Sequence, residues 1–209
     1  MMSPTIRNSK IVARRSRILY LQFEDAAAYP PLEHSSRILA ERGWEVTFLG
    51  AEVVSDGALR LPDHSRITVT NIRAGAFWGL QPLRYIYFVV RSLYWIIAWR
   101  PVWVYASDPT VLPALWAVHK LTSANIIYHE HDSPNPGQNT SRFMRLALRC
   151  RKTIGREAAD CILPQQQRLE EFIRVSKRTK PSFCVWNSPS RSEIRKNTST
   201  DDSGLVVYY

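Results

Sequence analysis

The sequence predicts an α/β fold, with a mostly parallel, Rossmann-like sheet and helices on both of its faces. Two observations predict it. Apolar runs of strand length alternate with segments whose apolar residues recur at the helical period of about 3.6 residues, which is typical of parallel strands joined by covering helices. The composition is that of a globular chain, since 45% of the 209 residues are hydrophobic and 22% are charged. A disordered, collagen-like or coiled-coil chain is therefore excluded.

Three apolar runs predict the first part of the sheet. ILYLQF at 18–23 is the first strand, WEVTFL at 44–49 is the second, and RITVTN at 66–71 is a weaker third. Residues 32–41 have helical periodicity between the first two strands. Gly43 follows them and ends this helix, because glycine readily adopts the backbone conformation that closes a helix.

A long aromatic helix precedes the remaining strands. It begins near Pro82 and ends before Pro101, since proline suits the first turn of a helix but cannot continue one. The remaining strands are predicted at 102–106, 125–129, 161–163 and 183–186. The helices that alternate with them are predicted at 110–121, 141–158 and 166–174.

Composition shifts divide the chain into four parts. Residues 1–17 form a basic arm, and 18–186 hold the Rossmann-like domain. The stretch 187–203 is polar and rich in Ser and Thr, which is typical of a linker. The final run 204–209, GLVVYY, predicts the first strand of a second domain, because a lone strand cannot form a sheet.

The excess positive charge is localised. The chain carries a net charge of +10, with five basic and no acidic residues in 1–17 and fourteen basic against five acidic residues in 141–196. The region between them is nearly neutral. This distribution favours a local anionic partner, such as a membrane surface, over nucleic acid.

No segment predicts export or membrane insertion. The apolar run 18–23 is too short for the core of a signal peptide, and the run 85–99 is interrupted by Arg91. The three cysteines, Cys150, Cys161 and Cys184, form neither a paired framework nor a zinc motif. We therefore expect a cytoplasmic protein with peripheral contact at the inner face of the membrane.

The order of several motifs resembles that of a known family. The passage 100–133, RPVWVYASDPTVLPALWAVHKLTSANIIYHEHDS, has a strand ending in a small-Asp-Pro turn, then a helix, then a strand ending in a His/Glu/Asp cluster. Together with ILYLQF, HSSRILAERGWEVTFLG, AADCILPQQQRLEEF and FCVWNSPS, it resembles the N-terminal domain of family 4 glycosyltransferases. The resemblance covers nearly the whole chain from residue 18 onward.

The resemblance implies a GT-B architecture, in which two Rossmann-like domains face each other across a cleft. The N-terminal domain of such an enzyme binds the acceptor, and the C-terminal domain holds most of the nucleotide-sugar. The implied reaction is sugar transfer with retention and without a metal or other cofactor. This chain would be the acceptor-binding half, acting in glycan or glycolipid synthesis and inactive alone. Its partners would be a glycan or lipid-linked acceptor and a donor-binding half, which a separate chain could supply.

The implied catalytic residues are His129, Glu130 and His131, which follow a strand at the edge where open α/β sheets bind ligands. Alternation places the two histidines on one face and Glu130 on the other. The alternative interpretation is that this cluster is only a polar strand end that caps the next helix. Zinc is not expected, because the cluster lacks a clear fourth ligand.

The implied substrate-binding residues at the same edge are Asp132, Glu24, Asp25 and Tyr29, although the loop 24–33 lacks the glycine-rich turn often found in the family.

Asp108 has two interpretations. Its carboxylate is placed to accept hydrogen bonds from sugar hydroxyls, as in a substrate-binding residue. Alternatively, Ser107 or Asp108 caps the helix that starts at Pro109, which is the commoner role for these residue types before a proline.

Two helices carry surface stripes. In 141–158 a basic face, expected to contact a membrane or phosphate, lies opposite an apolar face of Phe143, Leu146, Cys150 and Ile154; the basic face consists of Arg142, Arg145, Arg149, Lys152 and Arg156.

In 83–98 the apolar positions predict a core face of Leu83, Ile86, Tyr87, Val90, Leu93 and Ile97. The other side of that helix is both aromatic and basic and suits a membrane interface; it consists of Arg84, Phe88, Arg91 and Trp95.

A second class of function stays open at this level. A Rossmann-like module without catalytic activity could use the basic stripe to bind an anionic membrane or a partner chain. A dinucleotide-dependent oxidoreductase is disfavoured, because no G-x-G-x-x-G follows any strand.

Overall fold

Seven parallel strands form one sheet in the order β3-β2-β1-β4-β5-β6-β7. This architecture is that of a computed structural model, which describes residues 16–23, 30–51, 63–73, 80–132 and 141–186. Helices cover both faces of the sheet, so the predicted Rossmann-like α/β class is confirmed. The linker 187–203, the strand 204–209 and all but the last two residues of the basic arm lie outside the described residues.

The strands and helices lie close to their predicted positions. The strands are β1 (Arg17–Leu21), β2 (Glu45–Ala51), β3 (Ile67–Ile72), β4 (Trp103–Ser107), β5 (Asn125–His129), β6 (Asp160–Leu163) and β7 (Ser182–Cys184). The helices are α1 (Pro30–Glu41), α2 (Gln81–Trp99), α3 (Leu112–Leu121), α4 (Arg142–Glu157) and α5 (Gln166–Ser176), and a 3-10 helix at Pro109–Val111 precedes α3.

The central strands are buried because a helix layer lies on each of their faces. Along β1, Leu19 and Leu21 belong to the core under α2 to α5, whereas Ile18 and Tyr20 belong to the core under α1. All four side chains are at most 3% exposed. Burial on both faces explains why apolar residues follow one another along this strand and do not alternate with polar ones.

The connections set which helix lies on which face. The chain moves from β1 to β2 in one direction across the sheet, and from β4 to β7 in the opposite direction. Because parallel crossovers are right-handed, the two directions place their helices on opposite faces. The strand order therefore reverses between β1 and β4, and their carboxyl ends border a crevice in which α/β sheets commonly bind ligands.

Helix α2 packs with the face opposite to the one predicted. Phe88, Ser92 and Ile96 are its buried residues, and Phe88 is completely buried. Trp95, predicted on the surface side with Phe88, also packs against the core. The predicted core face is largely exposed, with Ile86 57% and Ile97 65% accessible. The prediction was wrong because both sides of this helix are rich in apolar residues, so periodicity did not distinguish them.

Helix α4 presents its predicted basic face to solvent. Ser141 caps its start, accepting a 3.1 Å hydrogen bond at Oγ from the backbone N–H of Met144. The buried residues of α4 are Ala147, Cys150, Ile154 and Gly155. Leu146, predicted on the apolar face opposite the arginines, is 49% exposed and does not belong to the buried face. The residues of the basic stripe, Arg142, Arg145, Arg149, Lys152 and Arg156, are all exposed. No helix in the described part of the chain is both long and apolar enough to cross a membrane.

Candidate active site

Polar side chains meet where β1, β4 and β5 end, beside the point at which the strand order reverses. Ser107 pairs in register with His129, and Gln22 directly follows β1. All three are buried, Ser107 completely. Buried polar groups need hydrogen-bond partners, so their contacts define the site.

Gln22 links the ends of β1 and β4. Its Nε2 donates a 2.8 Å hydrogen bond to Oδ2 of Asp108, and its Oε1 accepts one from Oγ of Ser107. Gln22 was not among the predicted site residues. The signal that could have identified it is a polar residue inside an otherwise apolar strand run.

Asp108 does not cap the following helix. It occupies the N-cap position of the 3-10 helix, but its side chain makes no capping hydrogen bond. Its backbone has φ 72° and ψ 151°, a region that non-glycine residues rarely adopt. The capping interpretation was therefore wrong, and the residue holds a carboxylate at the crevice in a strained conformation. Strain of this kind clusters at functional sites.

Two histidines whose rings are in contact form the second part of the site. The rings of His129 and His131 lie 4.0 Å apart, which agrees with the predicted placement of both on one face, and both residues are buried. The hydroxyl of Tyr105 makes a hydrogen bond with Nδ1 of His129. Nε2 of His129 is buried and has no hydrogen-bond partner among the described residues.

Both histidines are held in the neutral form. Burial, together with the neighbouring His131, lowers the pKa of His129 to about 3. Burial also lowers the pKa of His131, although the nearby Asp132 opposes this effect. Burial raises the pKa of the Tyr105 hydroxyl well above its usual value. Near neutral pH this pair of strands therefore supplies uncharged hydrogen-bonding groups.

Glu130 lies on the opposite side of the strand from the histidines and is completely buried. Its carboxylate accepts two 2.6 Å hydrogen bonds from Arg151 and one of 2.9 Å from the hydroxyl of Tyr128. Both oxygens are thus engaged within the fold. Arg151 was not among the predicted site residues, because nothing in the sequence separates it from the exposed arginines of the same helix.

The other predicted site residues are dispersed. Asp132 is exposed beside His131. Glu24, Asp25 and Tyr29 lie outside the described residues. The basic stripe of α4 lies on the outer surface of its helix and does not join the histidines. Within the described ranges, no group of three or more His, Cys, Asp or Glu side chains could hold a metal ion. The alternative of a strand end that caps the next helix was wrong, since Ser141 caps α4.

A family model describes most of the sequence. The model of the glycosyl transferase 4-like domain matches residues 32–181. This range includes the Asp108 turn, both histidines and the Glu130–Arg151 pair. A comparison with curated protein sequences finds no significant match.

Solved structures share the fold at low sequence identity. Sucrose-phosphate synthase from Thermosynechococcus elongatus superposes with a TM-score of 0.63 at 13% identity, covering 82% of this chain and 48% of that one. A second structure of that enzyme gives 0.59 at 14% identity and covers 82% and 89%. HepE from Anabaena, in complex with UDP and glucose, gives 0.57 at 20% identity and covers 83% and 44%.

The chain therefore spans about half the length of the longer of these structures. They are GT-B glycosyltransferases, and this chain shares their Rossmann-like parallel sheet. Because the family model matches more than two thirds of the sequence and the fold agrees with it, the chain belongs to the family of glycosyl transferase 4-like domains.

Proposed function

We propose that this chain is the acceptor-binding half of a retaining, nucleotide-sugar-dependent glycosyltransferase that acts in glycan or glycolipid synthesis. Family membership supports the transferase class. The donor would be a co-substrate held mainly by a second half, and no metal or other cofactor would take part. Without that half, the chain would catalyse little, because most contacts that stabilise a transition state would be missing.

The observation that carries this proposal is the buried Nε2 of His129. We assign the tautomer in which the protonated phenol of Tyr105 donates to Nδ1 of His129, so that the imidazole hydrogen lies on Nε2. An N–H at this position at the crevice has no partner among the described residues. A sugar hydroxyl supplies the oxygen that such a donor requires. His129 would therefore orient a hydroxyl of the acceptor.

The charged and neutral groups of the site favour binding of an acceptor sugar over binding of the donor diphosphate. Both histidines are neutral, and the guanidinium of Arg151 is bound to Glu130. Asp108 places a carboxyl group at the same edge. A sugar offers hydroxyls to such groups, whereas a donor diphosphate requires helix N-termini or cations. We therefore assign the diphosphate to the other half of the enzyme.

Saturation-transfer NMR tests the assignment to the acceptor side. The full chain is mixed separately with UDP, with GDP and with a panel of mono- and disaccharides. We expect transfer to at least one sugar and none to the free nucleotides. Substitution His129→Ala should remove the sugar signal. Substitution His119→Ala, at the C-terminal end of α3, is the matched control and should leave it intact. Strong transfer to UDP with none to any sugar would contradict the proposal.

Turnover gives a second test. The purified chain is incubated with UDP-glucose, UDP-galactose or GDP-mannose and the sugar panel, and released nucleotide is measured. We expect no release above the rate without protein. Robust release by the chain alone would contradict the assignment of the donor site to a second half.

A further inference from the structure

The outward face of α2 is an apolar stripe that the fold leaves uncovered among the described residues. It consists of Leu83, Ile86, Tyr87, Val90, Tyr94 and Ile97, whose exposed fractions run from 39% to 65%. Their spacing of three or four residues aligns them along the helix for about 20 Å. A soluble surface rarely carries so continuous an apolar patch without a partner.

The apolar surface extends from α2 to α3. Leu121, at the end of α3, is 69% exposed and lines a cleft together with Ile97. Trp116, also on α3, is 41% exposed. Exposed aromatic rings suit the depth of lipid headgroups. The patch therefore spans two neighbouring helices on the same side of the sheet.

Arginines border the stripe. Arg91 and Arg73 line a cleft of about 380 Å³ together with Tyr87, which also belongs to the stripe. The guanidinium of Arg91 lies 5.8 Å from the ring of Tyr94. Arg100 is exposed at the C-terminal end of α2 and lines the cleft beside Ile97. Cations thus border the middle and the C-terminal end of the apolar stripe.

Among the described residues, acidic side chains are rare on the three helices nearest the stripe, whereas α5 at the far end of the same layer carries the exposed Glu170 and Glu171. Helices α2, α3 and α4 together contain one, Glu157 at the last turn of α4. The exposed arginines of α4 belong to the same layer, since the rings of Tyr85 on α2 and Phe143 on α4 lie 4.8 Å apart. By contrast, α1 on the opposite face carries Glu33 and Glu41.

From these observations we propose that the outer surface of α2 to α4 docks onto an anionic lipid bilayer. The stripe of α2 enters the headgroup boundary, while Arg73, Arg91 and the α4 stripe contact lipid phosphates. A second copy of the chain fits less well, because pairing this face with itself would bring arginines together without acidic partners. The proposal goes beyond sugar binding and does not depend on it.

Vesicle sedimentation with the full chain tests this docking. We expect binding to phosphatidylcholine vesicles that contain phosphatidylglycerol, and weaker binding to phosphatidylcholine alone. Substitutions Ile86→Glu and Ile97→Glu should each reduce binding about tenfold or more, because each removes an inserted apolar side chain and adds a repelled charge. Ile38→Glu is the matched control, since Ile38 is 43% exposed on α1, and it should bind like the wild type.

A charge variant and a solution measurement complete the test. Arg145→Glu combined with Arg149→Glu should weaken binding to the anionic vesicles about tenfold or more and should flatten its salt dependence. Equal binding by Ile86→Glu and Ile38→Glu would overturn the proposal. So would a wild-type dimer in sedimentation velocity that Ile86→Glu dissociates while vesicle binding stays unchanged. Circular dichroism checks that each variant is folded, and the comparison of the two vesicle types needs no variant.

Discussion

Arg151 grips Glu130 through two parallel hydrogen bonds. Nε of Arg151 lies 2.6 Å from Oε2 of Glu130, and Nη2 lies 2.6 Å from Oε1. The same guanidinium lies 4.8 Å from the ring centre of Phe172. The pair joins the middle of α4 to the end of β5. Glu130 lies between the two histidines in the sequence, and its side chain lies on the opposite face of the strand. The pair therefore fixes the strand end from which His129 and His131 project.

Removing one partner of this pair should destabilise the protein strongly. In Arg151→Ala the carboxylate of Glu130, which is completely buried, loses its cation. We expect the free energy of unfolding to fall by about 3 kcal/mol. Urea denaturation measures the loss. Arg149→Ala removes an exposed arginine of the same helix and should cost less than about 0.5 kcal/mol. Equal losses in the two variants would contradict this account of the pair.

The stability of the protein should fall as the pH is lowered through the range in which an unfolded histidine titrates. The pKa of His129 is about 3 in the folded chain, against a usual value of 6.5, so the unfolded state binds its proton first. The stability that the neutral form of His129 contributes is fully present above the pKa of this residue in the unfolded chain. It is lost progressively as the pH falls toward the pKa in the folded chain. From about pH 7 to about pH 5 the loss should reach about 2 kcal/mol.

The variant His129→Gln should show a smaller fall over the same pH range, because it lacks the group that titrates. Carboxylate protonation acts on both proteins and cancels in the difference. Denaturation curves at several pH values measure the effect, and His119→Gln controls for the loss of a histidine as such. Parallel pH profiles for the wild type and His129→Gln would rule out the buried, neutral state of this residue.

The left-handed backbone of Asp108 should make glycine preferable to alanine at this position. Both substitutions remove the hydrogen bond that Asp108 accepts from Gln22. Only glycine adopts φ 72° without strain. We therefore expect Asp108→Gly to be more stable than Asp108→Ala by about 1 kcal/mol in chemical denaturation. An alanine variant at least as stable as the glycine variant would show that the backbone here is not strained.

Gly155 should tolerate no side chain. A Cβ built there would lie 2.8 Å from Cζ of Phe172 and 2.9 Å from Cβ of Ser176, because α4 and α5 cross closely at this point. We expect Gly155→Ala to lower the free energy of unfolding by about 1–3 kcal/mol. The loss should be smaller in a Phe172→Leu background, which frees space. An equal loss in both backgrounds would mean that the ring is not the obstacle.

The sequence predicted the sheet well because its strands are buried on both sides. NIIYH at Asn125–His129 is predicted with the observed bounds, and the alternation of His129 and Glu130 onto opposite faces follows directly from strand geometry. Local pattern and tertiary burial agree at such positions. The crevice at the carboxyl ends could be placed for the same reason.

The side-chain partnerships could not be predicted in the same way. Ser92 is polar, yet it is buried on α2, where its hydroxyl donates a hydrogen bond to the carbonyl oxygen of Phe88. Arg151 is one of six basic residues in α4, and only packing against Glu130 distinguishes it. Tyr105 and Gln22 contact other residues of the site only because β4 pairs with β1 and with β5, which are distant from it in the sequence. These features depend on three-dimensional proximity, which periodicity does not encode.

The pairing of β1 with β4 constrains the order in which the nascent chain can fold. Ile18 pairs with Trp103, roughly 85 residues later, whereas β2 and β3 emerge from the ribosome well before β4. Until β4 has been synthesised, one edge of β1 lacks its native partner strand. Its neighbouring apolar side chains then have only α1, α2, β2 and β3 to pack against. Ribosome pausing between β3 and β4 should thus lengthen the exposure of this edge and increase aggregation.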